Sequence, residues 1–85
     1  MAALRELYLG EASCGRGLVR YYLLAETRED YEESYGILAE SGGERAAVPN
    51  ITVSQRRIQA LAEVLMRGAV TPLTLRDVVD DWLLE

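Results

Sequence analysis

The sequence predicts an α+β fold: a three- to four-stranded antiparallel meander followed by two amphipathic helices packed on one face. Three observations predict it. Up to about residue 50, apolar and polar positions alternate between glycine-containing breaks, the period of half-buried strands. From Asn50 to Glu85, two helical stripes flank a proline-containing link. All the strands come before the helices, which points to a sheet of hairpins, because parallel strands need crossovers between them. The expected strands span about 4–9, 18–26, 31–40 and 44–48, and the helices about 54–67 and 75–84, within a single small domain.

Leu4 to Leu9 alternates Leu4, Glu6, Tyr8 against Arg5, Leu7, Leu9. That pattern suits a strand or a short helix; a strand is preferred, with Gly10 ending it. Gly15-Arg16-Gly17 reads as a turn. The following run, Leu18 to Ala25, has the β-branched and aromatic content of a central strand, with Val19, Tyr21, Leu23 and Ala25 on one face and Leu18, Arg20, Tyr22 and Leu24 on the other. After a polar reversal, Tyr31 to Glu40 alternates again. Ser41-Gly42-Gly43-Glu44 is the strongest hairpin signal, because Gly-Gly accepts the positive φ angles of a two-residue turn. Pro49 cannot donate to a ladder, so the return strand is short or lies at an edge.

Two signals compete for the start of the first helix. Ser54 as N-cap places Val53 and Ile58 as a hydrophobic staple, whereas Thr52 as N-cap makes a capping box with Gln55; Ser54 is preferred. Ile58, Leu61, Ala62, Leu65 and Ala69 then form a core-facing stripe, and Gly68 is the natural left-handed C′ residue. Pro72 prevents smooth continuation. Thr74 and Asp77 form a capping-box-like pair ahead of Leu75, Val78, Val79, Trp82 and Leu83, the cleanest helical periodicity in the chain. Arg76 is placed to pair with Asp80 one turn on.

At 85 residues, a chain buries only about 60–65% of its unfolded surface. Stability is therefore thin unless the core is well packed or shared, which makes oligomerisation a live option. No apolar run approaches the roughly 20 residues of a membrane span, and the N-terminus lacks a signal-peptide pattern, so a cytoplasmic location is expected. Cys14 is the only cysteine and suits a reducing compartment.

The search for chemistry mostly removes classes of function. There is no histidine, which excludes Ser-His-Asp and Cys-His nucleophile systems, histidine metal sites and histidine proton shuttles within one chain. Gly15-x-Gly17 lacks the third glycine and strand-to-helix context of a dinucleotide loop. Glu26, Glu29, Asp30, Glu32 and Glu33 lack EF-hand spacing and read as a solvated turn. No catalytic residue, cofactor or metal is assigned, and an enzyme is not expected.

Three surfaces remain. On the second helix, Asp77, Asp80, Asp81 and Glu85 face outward, the last three toward the negative end of the helix dipole, where each is disfavoured by roughly 0.3–1 kcal/mol. A solvated terminal face explains them; a docking surface of Asp77, Asp80, Asp81 and Trp82 for a basic protein partner is the functional alternative. The helix pair superficially resembles a helix-turn-helix, but a recognition helix with these aspartates, in a chain of net charge −5, would repel phosphates. Nucleic acid is disfavoured, and its only candidate contacts are Arg56, Arg57 and Arg67. The third surface is the sheet face away from the helices. There Tyr22, Leu24 and Leu38 need cover, either from a second subunit or from long Arg and Glu side chains.

Tyr21-Tyr22-Leu23-Leu24, Ser34-Tyr35-Gly36-Ile37, Asn50-Ile51 and, above all, Val70-Thr71-Pro72-Leu73-Thr74-Leu75-Arg76-Asp77-Val78-Val79-Asp80-Asp81-Trp82-Leu83 resemble a family of short uncharacterised bacterial proteins. The resemblance covers roughly residues 18–85 and implies a small cytoplasmic domain of unknown function, with no activity or site to carry over. The expected function is a non-enzymatic interaction or regulatory module, homodimeric and binding an unidentified protein. A nucleic-acid-associated regulator is the alternative.

Overall fold

The computed structural model describes residues 3–15, 17–28 and 32–84. They form four strands, β1 (Ala3–Cys14), β2 (Gly17–Thr27), β3 (Glu33–Ser41) and β4 (Glu44–Thr52), then α1 (Gln55–Arg67) and α2 (Leu75–Leu83). The sheet is an antiparallel meander in the order β1-β2-β3-β4. This is the α+β arrangement expected from the sequence. Tyr31, expected to start the third strand, and Glu85 lie outside the described residues, as do Glu29 and Asp30 of the acidic turn.

Two strands run further than their punctuation suggests. Gly10 does not end β1. The register passes from Tyr8↔Tyr22 to Gly10↔Tyr21, a bulge that lets the strand continue to Cys14. It also switches which parity faces the helices, from Arg5 and Leu7 before it to Ala12 and Cys14 after it. Pro49 likewise does not end β4, which continues to Thr52 through a larger bulge between the pairs Tyr35↔Thr52 and Ile37↔Val48. Asn50 takes the left-handed conformation there, at φ 55°, which a short amide side chain tolerates better than most. Gly36 lies opposite this bulge. A Cβ on it would collide with the Val48 carbonyl oxygen and sit 2.6 Å from Pro49 Cα.

Directly opposed residues share a sheet face, so Val19, Tyr21, Ala25, Tyr35, Ile37, Ala39 and Val48 line one face. Against them pack Ile58, Leu61, Ala62 and Leu65 of α1 and Leu75 and Val79 of α2. Tyr21 is fully buried, and its hydroxyl donates toward the Val70 carbonyl at 2.7 Å and the Leu65 carbonyl at 3.2 Å. A residue of the second strand thereby satisfies acceptors at the end of α1 and the start of the link. Burial pushes the phenol up to about 12.

The helix starts and stops follow local chemistry, with two departures. Ser54 caps α1, its hydroxyl accepting from Arg57 N at 3.2 Å, and Thr52 Oγ1 accepts from Ser54 N. At the other end, Gly68 is right-handed (φ −88°) and the left-handed residue is Ala69, at φ 48°. The Val70 N–H reaches the Leu65 carbonyl and the Ala69 N–H the Met66 carbonyl, the bond pair of a Schellman stop. The glycine thus stands one position ahead of where its freedom is needed. Thr74 precedes α2 without a side-chain capping bond, because its hydroxyl turns back to Thr71 instead.

Candidate functional site

On α2, Asp77, Asp80 and Asp81 are exposed while Trp82 is half-buried against the core. The Arg57 guanidinium of α1 lies 4.7 Å from the Trp82 ring centroid, so the indole is covered from within the chain. That contact also brings a cation to the last turn of α2, which has no basic residue of its own. The expected Arg76–Asp80 ion pair is not formed; among the described residues the ion pairs are Arg5–Glu33, Arg45–Glu6 and Arg45–Glu40. No cluster of three or more acidic or cysteine side chains that could hold a metal occurs among the described residues.

The three arginines of α1 do not form one patch. Arg56 and Arg67 share the outward side of the helix but lie about 16 Å apart along its axis, with the exposed Glu63 between them. Arg57, about 100° further round the helix, is turned to Trp82.

The sheet face away from the helices holds an arrangement that sequence reasoning missed. Leu24 and Leu38 are 5% and 4% exposed with no element packed over them. Arg45 on β4 reaches Glu6 on β1 at 3.6 Å and Glu40 on β3 at 3.5 Å. In a flat sheet, β1 and β4 lie three strand spacings apart, about 14 Å, and the register sets Glu6 four residues along from the row of Arg45, about 13 Å more, so this contact requires the sheet to curl. The pair runs diagonally over Leu38 and Leu24. Long Arg and Glu side chains thus lie over this face, one of the two kinds of cover expected for it. Tyr8 and Tyr22 meet edge to face beside them, with centroids 5.6 Å apart. The Tyr8 hydroxyl donates to Glu11 at 2.7 Å, and that bond raises its pKa above the ordinary phenol value. At the end of this trough, Ser41 Oγ donates to the Leu18 carbonyl at 2.8 Å. A hollow of about 510 Å³ opens there, with Arg20, Glu40 and Arg45 on its walls.

The two sheet edges are unlike. β4 is interrupted by Pro49 and the bulge at Asn50, so its outer hydrogen-bonding row is broken. β1 is a proline-free strand of 12 residues whose first half is regular, and Leu4, Leu7 and Tyr8 on it are 59%, 48% and 55% exposed. Alongside it, between the strand and α1, runs a mainly apolar groove of about 230 Å³ formed by Leu9, Leu23, Ile58, Ala62 and Met66, with Gln59 and Glu63 at its lip. Leu7, the register partner of Leu23, continues this surface to the edge. The full length of this edge is invisible to a local reading because a glycine that marks a bulge has the same local signature as one that ends a strand.

Fold and surfaces together define a small α+β protein: a curled antiparallel meander, roofed on one face by two helices, with one blocked edge and one open. No helix among the described residues is long and apolar enough to cross a membrane. The chain belongs to a family of unknown function, DUF6514, whose model matches residues 8–85 and so begins inside β1. No curated protein and no solved structure matches it.

Proposed function

We propose that this protein is a non-enzymatic interaction module of the cytoplasm that holds another protein against the β1 side of its sheet. The supporting observation is the contrast between the edges: β4 carries the proline and larger bulge that discourage pairing, while β1 exposes a regular backbone row over Ala3–Tyr8 together with Leu4, Leu7 and Tyr8. Exposed strand backbone with aliphatic and aromatic side chains is what a partner strand recognises. The acidic side of α2 is the weaker surface for this role, since Trp82 already carries Arg57. A homodimer is expected from the need to cover Tyr22, Leu24 and Leu38; the low exposure of Leu24 and Leu38 within one chain supports placing a partner at the edge instead of on that face.

The test places a photo-crosslinking amino acid at Leu4, Leu7 or Asp80 in the protein's own host. Adducts with a protein from the first two positions and none from Asp80 are expected. Equal adducts from all three, or none from Leu4 and Leu7, would sink the reading.

A further inference from the structure

Deepening that reading and resting on it, the groove beside β1 says what kind of partner fits. We propose that it receives an extended peptide segment of a partner protein, added as an outer strand along Ala3–Tyr8, with aliphatic side chains at alternate positions and a Lys or Arg set against Glu63.

Four observations carry this. The regular part of β1 ends at the bulge after Tyr8, which limits pairing to a segment about 20 Å long. Side chains of an added strand alternate between faces, so every second one enters the space between β1 and α1. That space is walled mainly by Leu9, Leu23, Ile58, Ala62 and Met66, which accept branched aliphatic groups, with the polar side chains Gln59 and Glu63 along the α1 side. The charge at the lip is Glu63, for which no ion pair occurs among the described residues, whereas Arg5 on the edge is already held by Glu33. A basic residue on the peptide therefore meets an unpaired carboxylate.

In the registers that would pair most of Ala3–Tyr8, a second copy of this chain fits the edge poorly; the register centred on Leu4 opposes only Ala3, Leu4 and Arg5 among the described residues. Two identical edges join about a two-fold axis normal to the sheet, so opposed residues must share a face. Registers centred on Arg5 or Glu6 set like charges directly opposite each other, which is destabilising. The register centred on Leu7 runs each bulge at Leu9 into Arg5 of the other chain.

The experiment pans a displayed library of random nine-residue peptides over the immobilised full chain, then follows the best synthetic peptide by NMR and amide exchange. The expected result is enrichment of alternating aliphatic sequences containing Lys or Arg. The bound peptide should slow exchange across Ala3–Tyr8 and shift the Leu9, Leu23 and Met66 methyl signals. Glu63→Arg, at an exposed position, should weaken binding about tenfold with the thermal midpoint unchanged. No enrichment, peptides without alternation, protection outside β1, or a free chain that sediments as a dimer with β1 already protected would each overturn the proposal. If Leu7 crosslinks a protein in the host while panning yields nothing, the interaction reading stands and the peptide chemistry falls. If no crosslink forms at Leu4 or Leu7, both fall.

Discussion

The Tyr21 hydroxyl lies 2.7 Å from the Val70 carbonyl oxygen, joining the second strand to the link between the helices across 49 positions of sequence. Removing that donor leaves carbonyls at the end of α1 without their side-chain partner. Tyr21→Phe is expected to lower stability by about 1–2 kcal/mol in urea unfolding. The burial of the same hydroxyl predicts alkaline behaviour. The folded-state pKa, about 12, stands above the ordinary value of 10.0, so the unfolded chain loses its proton first as pH rises. The contribution is whole below pH 10 and disappears between 10 and 12. Urea midpoints across that window should fall more steeply for the native chain than for Tyr21→Phe.

Ala69 holds a left-handed conformation that a side chain makes costly, while Gly68 before it is right-handed. Ala69→Gly is expected to add about 1 kcal/mol. Gly68→Ala should add about 0.4–1 kcal/mol by restricting the unfolded chain, since its new Cβ would meet nothing nearer than 3.4 Å. Thermal melts should show each gain as a rise of about 4–8 °C per kcal/mol. A loss of stability in Ala69→Gly would contradict the Schellman stop described for α1.

Gly36 faces the backbone of the β4 bulge, with Pro49 Cα only 2.6 Å from where a Cβ would stand. Gly36→Ala should cost about 3 kcal/mol or prevent folding, since backbone and not a flexible side chain must yield. Gly17→Ala is the control, because nothing lies within 4 Å of its added carbon. Its expected change is within about 0.5 kcal/mol. Comparable losses in both variants would mean that the bulge does not pack against Gly36.

Arg57 and Trp82 form the side-chain link between helices that were expected to serve separate surfaces. Arg57→Ala should lower stability by about 0.5–1 kcal/mol and change the emission of the chain's single tryptophan. Asp81→Asn should act in the opposite direction by about 0.3–1 kcal/mol, because it removes negative charge from the C-terminal turn of α2. Unchanged emission in Arg57→Ala would show that the guanidinium does not cover the indole in solution.

Much of this fold is written in short-range chemistry. The Gly42-Gly43 turn, the Ser54 cap and the apolar stripe of α1 each depend on neighbours within a few positions, and each stands where local rules put it. On α2 the stripe is partly used: Leu75 and Val79 are buried, while Leu83 remains 46% exposed near the chain's end. Pro49 does lie on an edge strand, as its missing N–H requires, but neither it nor Gly10 ends its strand, for a physical reason. Locally both are breakers, but paired strands on their inner sides hold the chain in line and turn a stop into a bulge. Arg45 and Glu6 are 39 positions apart, and only the curl of the sheet brings them together. The groove beside β1 depends equally on how α1 rides across the sheet. No window of sequence contains either.

The broken outer row of β4, at Pro49 and Asn50, bears on what this molecule can never build. Fibrils that grow by stacking sheets edge upon edge need each unit to offer two usable edges, one to receive and one to give. A unit with a single competent edge terminates any such chain at its first addition. Engagement of β1 is therefore self-limiting, and a strand that would otherwise be an aggregation hazard is left safely available at the surface.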